Sequence, residues 1–456
     1  MSIKKDEFCI QVFQTAKDTN DLLSPKDPLF FAPDTKEVEE RVINVYDDVE
    51  YQEIIGFGGA FTESAAVTFY KMSSDKRQEI LDAYFNPIIG LGYSFCRTHI
   101  NSCDFSLSNY AYVEDPDDVA LDTFSIKRDQ QALIPFIKEA MSVEGSDFKL
   151  FGSPWSPPAW MKTNGEMNHG GKLIDEHQDT WARYFTKYLE AYAEEGINIW
   201  GVTVQNEAKA TQKWDSCVYT AWDEKEFVKN HLGPVLENKG LGHVKIMIWD
   251  HNKERVFERA RIAFEDIDAS KYIWGISFHW YSGDHFEALE AVNHKWPDKK
   301  LVFTEGCTGW KADRGDWNVG EKYGHDILGD LKHHTCAWTD WNLILNEFGG
   351  PRSHVPNYCN APIIADTVKN VVNYEISYYY IGHFSKFIRP GSIRIACTNF
   401  TDQLETVAFK TPENKIVIIV MNRTKNAITS NLRYNGMVTE VVSLPHSIMT
   451  LVFEIK

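Results

Sequence analysis

The sequence predicts an α/β protein that combines a TIM (β/α)8 barrel with an associated β-sandwich domain built from both chain ends. Eight short apolar runs alternate with longer amphipathic stretches between residues 54 and 342. After about residue 387 the pattern changes to closely spaced strand-like runs, and another such run precedes the first of the eight. Alternating strands and helices indicate parallel strands with right-handed crossovers, and eight strands are the number that closes this barrel.

The barrel elements are read from apolar runs and helical spacing. The candidate strands lie at residues 54–58, 93–99, 148–152, 199–204, 244–249, 273–279, 301–304 and 337–342. Their continuous apolar character is typical of strands covered on both faces. Amphipathic stretches with apolar residues at helical spacing lie at 74–84, 129–142, 180–195, 224–239 and 286–292.

The C-terminal part reads as an antiparallel sandwich. Strand-like runs joined by short turns lie at 393–397, 406–410, 416–421, 428–432, 437–442 and 447–454. The early run at 41–46 is expected to pair with this sheet rather than to start the barrel. We therefore divide the chain into an N-terminal segment of the sandwich (1–53), the barrel (54–386) and the C-terminal sandwich (387–456).

Composition restricts the function classes. The chain has 456 residues, of which 43% are hydrophobic and 25% charged, as in soluble globular proteins, and it has no apolar run near twenty residues that would span a membrane. Its net charge of −18 repels phosphate backbones, so nucleic acid is not an expected partner. Neutral sugars are unaffected by this charge.

Compartment and metal content follow from the N-terminus and the cysteines. The first residues lack the apolar core of a signal peptide, so a cytoplasmic protein is the default expectation, and a secreted one stays open if a leader has been trimmed. The eight cysteines are scattered, without the spacing of a zinc site. We expect free thiols, no metal site and no cofactor.

Two glutamates stand at strand ends. Glu207 follows the run 200–206 and Glu305 follows the run 301–304. The carboxyl ends of barrel strands meet at the face where barrel enzymes carry their chemistry. A glutamate picked at random is most often an exposed loop residue, but two carboxylates facing each other across a cleft are the equipment for hydrolysing a glycosidic bond. The sequence thus predicts a glycosidase with Glu207 and Glu305 as its catalytic pair.

The glycines at the start of the barrel raise an alternative. Residues 56–61, Gly-Phe-Gly-Gly-Ala-Phe, begin like the Gly-x-Gly-x-x-Gly loop of a dinucleotide-binding fold. Phe61 stands where the third glycine is required, so the fingerprint fails and this alternative is rejected.

Several motifs together resemble one known family. They are Gly-Phe-Gly-Gly-Ala-Phe-Thr-Glu at 56–63, Ser-Cys-Asp-Phe-Ser at 102–106, Ser-Pro-Trp-Ser-Pro-Pro-Ala-Trp-Met-Lys-Thr-Asn-Gly at 153–165, Phe-His-Trp-Tyr at 278–281 and Trp-Thr-Asp-Trp-Asn-Leu at 338–343. From about residue 56 to the C-terminus, the chain resembles glycoside hydrolase family 30, the glucosylceramidase family. The resemblance implies a barrel fused to a sandwich and hydrolysis of β-glycosides with retention of configuration.

The resemblance also implies the catalytic roles. Glu207, after the fourth barrel strand, corresponds to the general acid/base, and Glu305, after the seventh, to the nucleophile. Retention needs the two carboxyls about 5–5.5 Å apart, with environments that separate their pKa values. The family commonly has Asn-Glu-Pro where this chain has Asn206-Glu207-Ala208, and the loss of the proline frees the backbone beside the acid/base.

Further site residues are expected around this pair. The resemblance implies that Asn206 binds the sugar 2-hydroxyl and that Tyr281 lies beside the nucleophile. Arg97, at the end of the second strand, is suited to orient Glu305 and keep it ionised, or else forms a structural ion pair. His279 belongs either to the site or to the core.

Aromatic and polar walls complete the implied sugar subsite. Sugars lay their C–H faces on aromatic rings and their hydroxyls against carboxylates and amides. The residues that match the family in this respect are Asp104, Trp160, Trp341 and Asn357. We expect Trp155 and Trp338 to be packing residues.

Three functions are compatible with the sequence. The leading one is a retaining β-glucosidase of glucosylceramidase type, acting on a glucoside, glycolipid or oligosaccharide. The alternatives are a β-1,6-glucanase on the same scaffold and a non-catalytic carbohydrate-binding or effector protein. Linkage, aglycone, exo or endo action and oligomeric state are not set by these motifs.

Overall fold

The computed structural model describes residues 9–309, 314–352 and 359–455, and every structural statement below concerns this part of the chain. Four strands precede the barrel: β1 (Cys9–Ala16), β2 (Ser24–Phe30), β3 (Ala32–Pro33) and β4 (Val42–Glu53).

Eight parallel strands then pair with one another, and the last pairs with the first to close a barrel. They are β5 (Gly56–Phe61), β6 (Phe95–Ile100), β7 (Lys149–Pro154), β8 (Ile199–Thr203), β9 (Lys245–Asn252), β10 (Ile273–His279), β11 (Lys300–Glu305) and β12 (Thr335–Asn342). Each predicted strand overlaps one of these, so the predicted barrel is confirmed.

The helices of the described chain surround the barrel. They are α1 (Glu63–Lys71), α2 (Ser74–Phe85), α3 (Leu133–Met141), α4 (Gln178–Glu194), α5 (Ala221–Phe227), α6 (Gly233–Asn238), α7 (Val256–Phe264), α8 (Ile267–Ser270), α9 (Phe286–Lys295), α10 (Trp317–Lys332) and α11 (Ile376–Ser385). The predicted helix 224–239 is interrupted by a π-helical turn at Val228–Leu232. This turn directly precedes Gly233-Pro234, and proline removes a hydrogen bond from a helix interior.

The remaining strands form two further sheets. β13 (Ile344–Asn346), β14 (Ile363–Asp366) and β15 (Val371–Tyr374) form a small sheet directly after the eighth barrel strand. The last six are β16 (Ile393–Thr398), β17 (Leu404–Lys410), β18 (Lys415–Asn422), β19 (Ile428–Tyr434), β20 (Met437–Ser443) and β21 (Ser447–Glu454).

These six strands join the four N-terminal ones in one sheet of order β2-β1-β21-β18-β17-β16-β4-β19-β20-β3. β20 lies against β18 and β21, so the sheet folds over on itself, and Ile43, Ile418 and Leu451 are among the residues of the core between its halves. The predicted sandwich from both chain ends is confirmed. The domain limits at 53/54 and 386/387 stay predictions.

The glycines of β5 are explained by close packing. A Cβ on Gly58 would lie 2.1 Å from the backbone oxygen of Phe95, and one on Gly59 would lie 2.8 Å from Leu343 Cδ2. These positions accept no side chain because the neighbouring barrel segments approach so closely. The same glycines explain why the predicted strand ended at residue 58 although β5 runs to Phe61. Glycine has no apolar side chain, so it does not contribute to the pattern that indicates a strand.

Side chains inside the barrel are layered along its axis. Near the start of the strands, Phe95 packs on Phe151 with 5.1 Å between ring centroids, and Met247 and Val302 fill the same layer. Successive residues of a strand point to opposite faces, so Arg97 shares the face of Phe95 but lies one layer nearer the C-terminal edge. The interior of the barrel is therefore apolar near the N-terminal ends of the strands and charged near their C-terminal ends, where enzymes of this architecture carry their active sites.

The sheet packs on the barrel through α10 and α11. The imidazole of His383, on α11, is fully buried and lies 2.9 Å from Thr15 Oγ1 and 2.8 Å from Thr450 Oγ1. One hydrophobic core runs from the barrel helices to β17, β18 and β21. In the part of the chain that the structure describes, no helix combines the length and the apolar character that crossing a membrane requires.

Candidate active site

The two glutamates lie at the C-terminal edge of the barrel. Glu305 is the last residue of β11, and Glu207 follows the end of β8 by four residues. Glu207 Oε1 and Glu305 Oε1 lie 3.6 Å and 4.0 Å from the same nitrogen, Nδ1 of His279. The fold thus brings together the two carboxyls that the sequence places 98 positions apart.

Arg97 is the centre of the site's charge network. Its guanidinium is completely buried and donates to Glu305 Oε2 (3.0 Å), Asn206 Oδ1 (2.9 Å) and Asp250 Oδ2 (2.7 Å). Its other donors reach Ser153 Oγ (3.1 Å) and the backbone oxygen of Thr304 (3.1 Å). A guanidinium has five N–H donors, so this set uses all of them and fixes the group that orients Glu305.

Both oxygens of Glu305 have donors. Arg97 holds Oε2, and the hydroxyl of Tyr281 donates to Oε1 at 2.9 Å. The Tyr281 hydroxyl also lies 3.4 Å from Cys307 Sγ, while 43% of the tyrosine stays exposed. The carboxylate of Glu305 is therefore fixed on both sides and faces a tyrosine that borders solvent.

Glu207 has an unusual backbone conformation. Its φ of 48° lies in the left-handed region, which costs a non-glycine residue about 1–3 kcal/mol. The conformation is held by its N–H, which donates to the Asp250 backbone oxygen at 2.8 Å, and by its own oxygen, which accepts from Ala210 N–H at 2.7 Å. Ala208 is buried and its oxygen accepts from Tyr219 N–H at 2.8 Å. These bonds anchor the loop that lacks the family's proline.

His279 belongs to both the core and the site. It is completely buried, its Nε2 lies 2.9 Å from Asp250 Oδ1, and its Nδ1 faces the two glutamates. His251, on β9, also faces Glu207, and its Nδ1 lies 3.4 Å from Glu207 Oε1. Asp250 accepts in addition from the hydroxyls of Thr203 (2.7 Å) and Thr304 (2.6 Å).

Burial and charge act differently on the two carboxyls. Burial raises the pKa of Glu305 to about 7, against the opposing charges of His279 and Arg97. For Glu207, burial acts upward, but the imidazoles of His251 and His279, which lie 3.4 and 3.6 Å from its Oε1, outweigh it and hold its pKa below the usual range. Burial disfavours the charged form of His279, yet Glu305, Asp250 and Glu207 raise the pKa of its imidazole to about 9.

This order is the reverse of the one that the implied roles require. Two imidazoles face Glu207 and favour its ionised form, whereas burial favours the neutral form of Glu305. A cation lowers the pKa of a nearby carboxyl, so Glu207 binds a proton more readily when the positive charge of these imidazoles is reduced.

The predicted sugar walls are partly connected to this centre. Trp341 is buried and stacked on Trp155 at 5.0 Å, with the Arg97 guanidinium 4.7 Å from the Trp155 ring and 5.6 Å from the Trp341 ring. Asp104 lies 3.6 Å from Arg352, and burial raises its pKa to about 6 while Arg352 opposes the rise and Glu207 adds to it. Asp104 is thus within electrostatic range of the acid/base candidate.

The other two predicted walls stay predictions. The indole N–H of Trp160 donates to the Val113 backbone oxygen at 3.1 Å, and its ring packs edge-on against His177 with 5.0 Å between centroids. Neither contact involves a residue that touches Glu207 or Glu305. It lines a cavity of about 600 Å³ together with Tyr110 and Met167. Asn357 lies outside the described residues.

Sequence reasoning missed Asp250 and His251. Both stand in the C-terminal half of β9, and polar residues at such a strand end are the signal that identified Glu207 and Glu305. The fold also places one ligand atom each from Glu207, His251 and His279 within 4.8 Å of one another, which makes them the group in the described chain able to hold a metal ion. No spacing in the sequence indicates this group, because its members come from three different strand ends.

A closed eight-stranded barrel with two neighbouring carboxyls at its C-terminal edge is the arrangement expected of a TIM-barrel glycosidase. The chain matches the glycosyl hydrolase family 30 TIM-barrel domain over residues 54–388 and the glycosyl hydrolase family 30 beta sandwich domain over residues 391–451. The chain belongs to glycosyl hydrolase family 30.

Individual relatives carry different names. Lysosomal acid glucosylceramidase of Mus musculus is 36% identical over 406 residues, which are 85% of this chain and 78% of that protein. Endo-1,6-beta-D-glucanase of Neurospora crassa is 26% identical over 423 residues, 86% of this chain and 85% of that protein. The crystal structure of SrfJ from Salmonella typhimurium is 36% identical, with a TM-score of 0.95 over 98% of this chain and 100% of that one.

Proposed function

We propose that the chain is a retaining β-glucosidase of glucosylceramidase type, with Glu305 as nucleophile and Glu207 as acid/base. The observation that carries this proposal is the fixation of Glu305, whose two oxygens accept from Arg97 and Tyr281. A carboxylate that cannot rotate is prepared to attack one carbon atom, which is how positioning lowers a barrier. The two imidazoles beside Glu207 lie 3.4 and 3.6 Å from its Oε1, farther than the donors of Glu305 at 3.0 and 2.9 Å, and its side chain is 13% exposed.

The reaction follows from this geometry in two displacements. In the first, a Glu305 oxygen bonds to the anomeric carbon, the bond to the leaving oxygen breaks, and Glu207 gives that oxygen its proton. In the second, Glu207 takes a proton from water, the water oxygen bonds to the anomeric carbon, and the bond to Glu305 breaks. Two inversions at one carbon give net retention.

Asn206 supports the binding of the sugar. Its Oδ1 is occupied by Arg97 at 2.9 Å, so its amide N–H₂ is the group that is left for a substrate hydroxyl. A hydrogen bond to the 2-hydroxyl strengthens as the oxocarbenium-like state develops. Asn206 therefore contributes to transition-state binding through a donor whose orientation Arg97 fixes.

The preference for a glucoside with a non-sugar aglycone is supported by the relatives. The relative named lysosomal acid glucosylceramidase is 36% identical, whereas that named endo-1,6-beta-D-glucanase is 26% identical. A β-1,6-glucanase is the second candidate, since the latter relative is aligned over as large a share of this chain.

The test is a product assay on an aryl β-glucoside, glucosylceramide and a β-1,6-linked glucan, with the anomer followed by proton NMR. We expect β-glucose from the two glucosides, and a loss of turnover by several orders of magnitude in Glu305→Gln. Glu287→Gln, which removes an exposed carboxylate in the first turn of α9, is the matched control and is expected to keep activity. Cleavage of the glucan alone supports the second candidate, and first-formed α-glucose contradicts the retaining mechanism.

A further inference from the structure

Three ligand atoms converge beside the proposed catalytic pair. Glu207 Oε1 lies 3.4 Å from His251 Nδ1 and 3.6 Å from His279 Nδ1. Zinc binds imidazole nitrogen and carboxylate oxygen at about 2.0–2.2 Å, so ligands of a tetrahedral zinc ion lie about 3.4 Å from one another. The two observed separations match this edge length closely, and all three atoms lie within 4.8 Å of one another.

The two imidazole nitrogens are available for a ligand. Both Nδ1 atoms are buried and make no hydrogen bond within the described chain. His279 is completely buried, and its Nε2 lies 2.9 Å from Asp250 Oδ1. A carboxylate only accepts, so Nε2 keeps its proton, and Nδ1, which faces Glu207, is the nitrogen that binds a metal once it is deprotonated. A carboxylate behind a histidine in this manner is the outer-shell arrangement of zinc-binding histidines.

Charge and access favour a cation at this place. Carboxylate oxygens of Asp250, Glu207 and Glu305 lie 2.9, 3.6 and 4.0 Å from the ring nitrogens of His279, and their negative charges favour a dication at this place. The side chains of Glu207 and His251 are 13% and 16% exposed, so the group borders the cleft, and the two Nδ1 atoms lie just beneath its surface. Two histidines and a glutamate leave one tetrahedral position open for water, as in many zinc enzymes.

We propose that Glu207, His251 and His279 form a binding site for a transition-metal ion of the zinc type, and that an ion bound there inhibits the enzyme. Imidazole and carboxylate ligands select such ions over Mg²⁺ and Ca²⁺, which require more oxygen ligands. The inhibition rests on the proposed role of Glu207, because a carboxylate oxygen that binds a metal neither gives nor takes a proton. The binding itself is independent of that role.

The test measures Zn²⁺ binding directly. Titration calorimetry of the chelator-free protein is expected to show one Zn²⁺ per chain, and Co²⁺ the visible absorption of a tetrahedral site. His251→Gln and Glu207→Gln are each expected to weaken the affinity by at least about tenfold, a change that the loss of even an outer-shell partner produces at zinc sites. His285→Gln is the matched control, since it removes a partly exposed histidine that lies 3.7 Å from Glu287.

Two outcomes overturn the proposal: no saturable Zn²⁺ binding, or binding of equal strength in wild type and both site variants. Thermal melting of each variant without metal shows whether it is folded. If the protein binds Zn²⁺ as expected but hydrolyses no β-glucoside, the metal site stands and the proposed function fails. In an active enzyme, Zn²⁺ is expected to stop aryl glucoside hydrolysis, and excess chelator to restore it.

Discussion

At the scale of single residues, the site is a set of buried charges that balance one another. Arg97 and Asp250 are both fully buried and pair at 2.7 Å, and Arg97 also pairs with Glu305. A buried charge is tolerated when it is paired and hydrogen-bonded, and removing one partner of such a pair costs about 3–5 kcal/mol. Positions such as Arg97 and Asp250 thus serve stability and orientation together, so variants at the rim report more cleanly on chemistry.

Tyr281→Phe tests the fixation of Glu305. The variant loses only the hydroxyl that donates to Glu305 Oε1, and the residue is exposed enough for the fold to persist. A hydrogen bond to a charged group contributes about 1.5–3 kcal/mol, so kcat is expected to fall roughly ten- to hundredfold. The pKa of Glu305 rises because its anion loses a donor, and the acidic limb of kcat/KM moves to higher pH. Tyr51→Phe, at an exposed ring of the sheet, is the control.

An unchanged kcat in Tyr281→Phe would show that Arg97 alone orients the nucleophile. A fall in kcat without any shift of the acidic limb would mean that the hydroxyl acts on the substrate rather than on the carboxylate.

His251→Gln decides between the roles of the two glutamates. The imidazole of His251, 3.4 Å from Glu207 Oε1, lowers the pKa of Glu207, so the variant raises it. If Glu207 is the acid, activity requires its protonated form, and the basic limb of the kcat/KM profile moves to higher pH. If Glu207 were the nucleophile, its ionised form would be required and the acidic limb would move instead. The profile of His285→Gln, at a partly exposed histidine that pairs with Glu287, is expected to match the wild type.

At the scale of elements, α11 connects the barrel to the sheet. His383 sits between Thr15 of β1 and Thr450 of β21, and both hydroxyls lie within hydrogen-bond distance of its ring. Burial lowers the pKa of this imidazole to about 3, so it is neutral in the folded protein at neutral pH. The contact therefore depends on a histidine without charge.

His383 makes stability sensitive to acid. In the unfolded chain a histidine has a pKa of about 6.5, so between pH 6.5 and 3 the unfolded state binds a proton that the folded state does not. The free energy of unfolding then falls with decreasing pH by up to about 1.4 kcal/mol per unit for this residue. Between pH 6.5 and 5, the free energy of unfolding of His383→Gln is expected to fall by about 2 kcal/mol less than that of the wild type. Urea unfolding at the two pH values measures this difference. Equal losses would place the acid sensitivity elsewhere, and His285→Gln is the control at a partly exposed histidine.

At the scale of the whole molecule, barrel and sheet share one core. Tyr380 and Phe384 of α11 belong to the same hydrophobic cluster as Phe409, Met421 and Ile448 of the sheet. β1 and β4 pair with C-terminal strands, so the sheet joins the segments of the chain that precede and follow the barrel. The sandwich is thus not independent of the barrel.

A shared core predicts common unfolding. Scanning calorimetry of the full chain is expected to show one transition, because separating the sheet would expose apolar surface on both sides. Two resolved transitions would contradict the shared core. The variant His383→Gln weakens the contact between barrel and sheet. If its calorimetric trace still shows one transition, the rest of the shared core is enough to keep unfolding cooperative.

The sequence predicted elements where side chains carry a period. All eight barrel strands and the six C-terminal strands follow from apolar runs. β4 extends to Glu53, beyond the predicted 41–46, because its second half is exposed and polar and therefore lacks an apolar pattern. The small sheet β13–β15 was not predicted, since strands of three or four residues are too short to show one.

The sequence by itself determined the barrel, the sandwich and the positions of Glu207 and Glu305 at strand ends, because these depend on local pattern and on the parallel order of strands. Only the tertiary structure decided what surrounds the pair. The donors on Arg97, the bond from Tyr281 to Glu305 and the convergence of His251 and His279 on Glu207 join residues of different strands. Such contacts form when the barrel closes and sets the stagger of its strands, which no local pattern encodes.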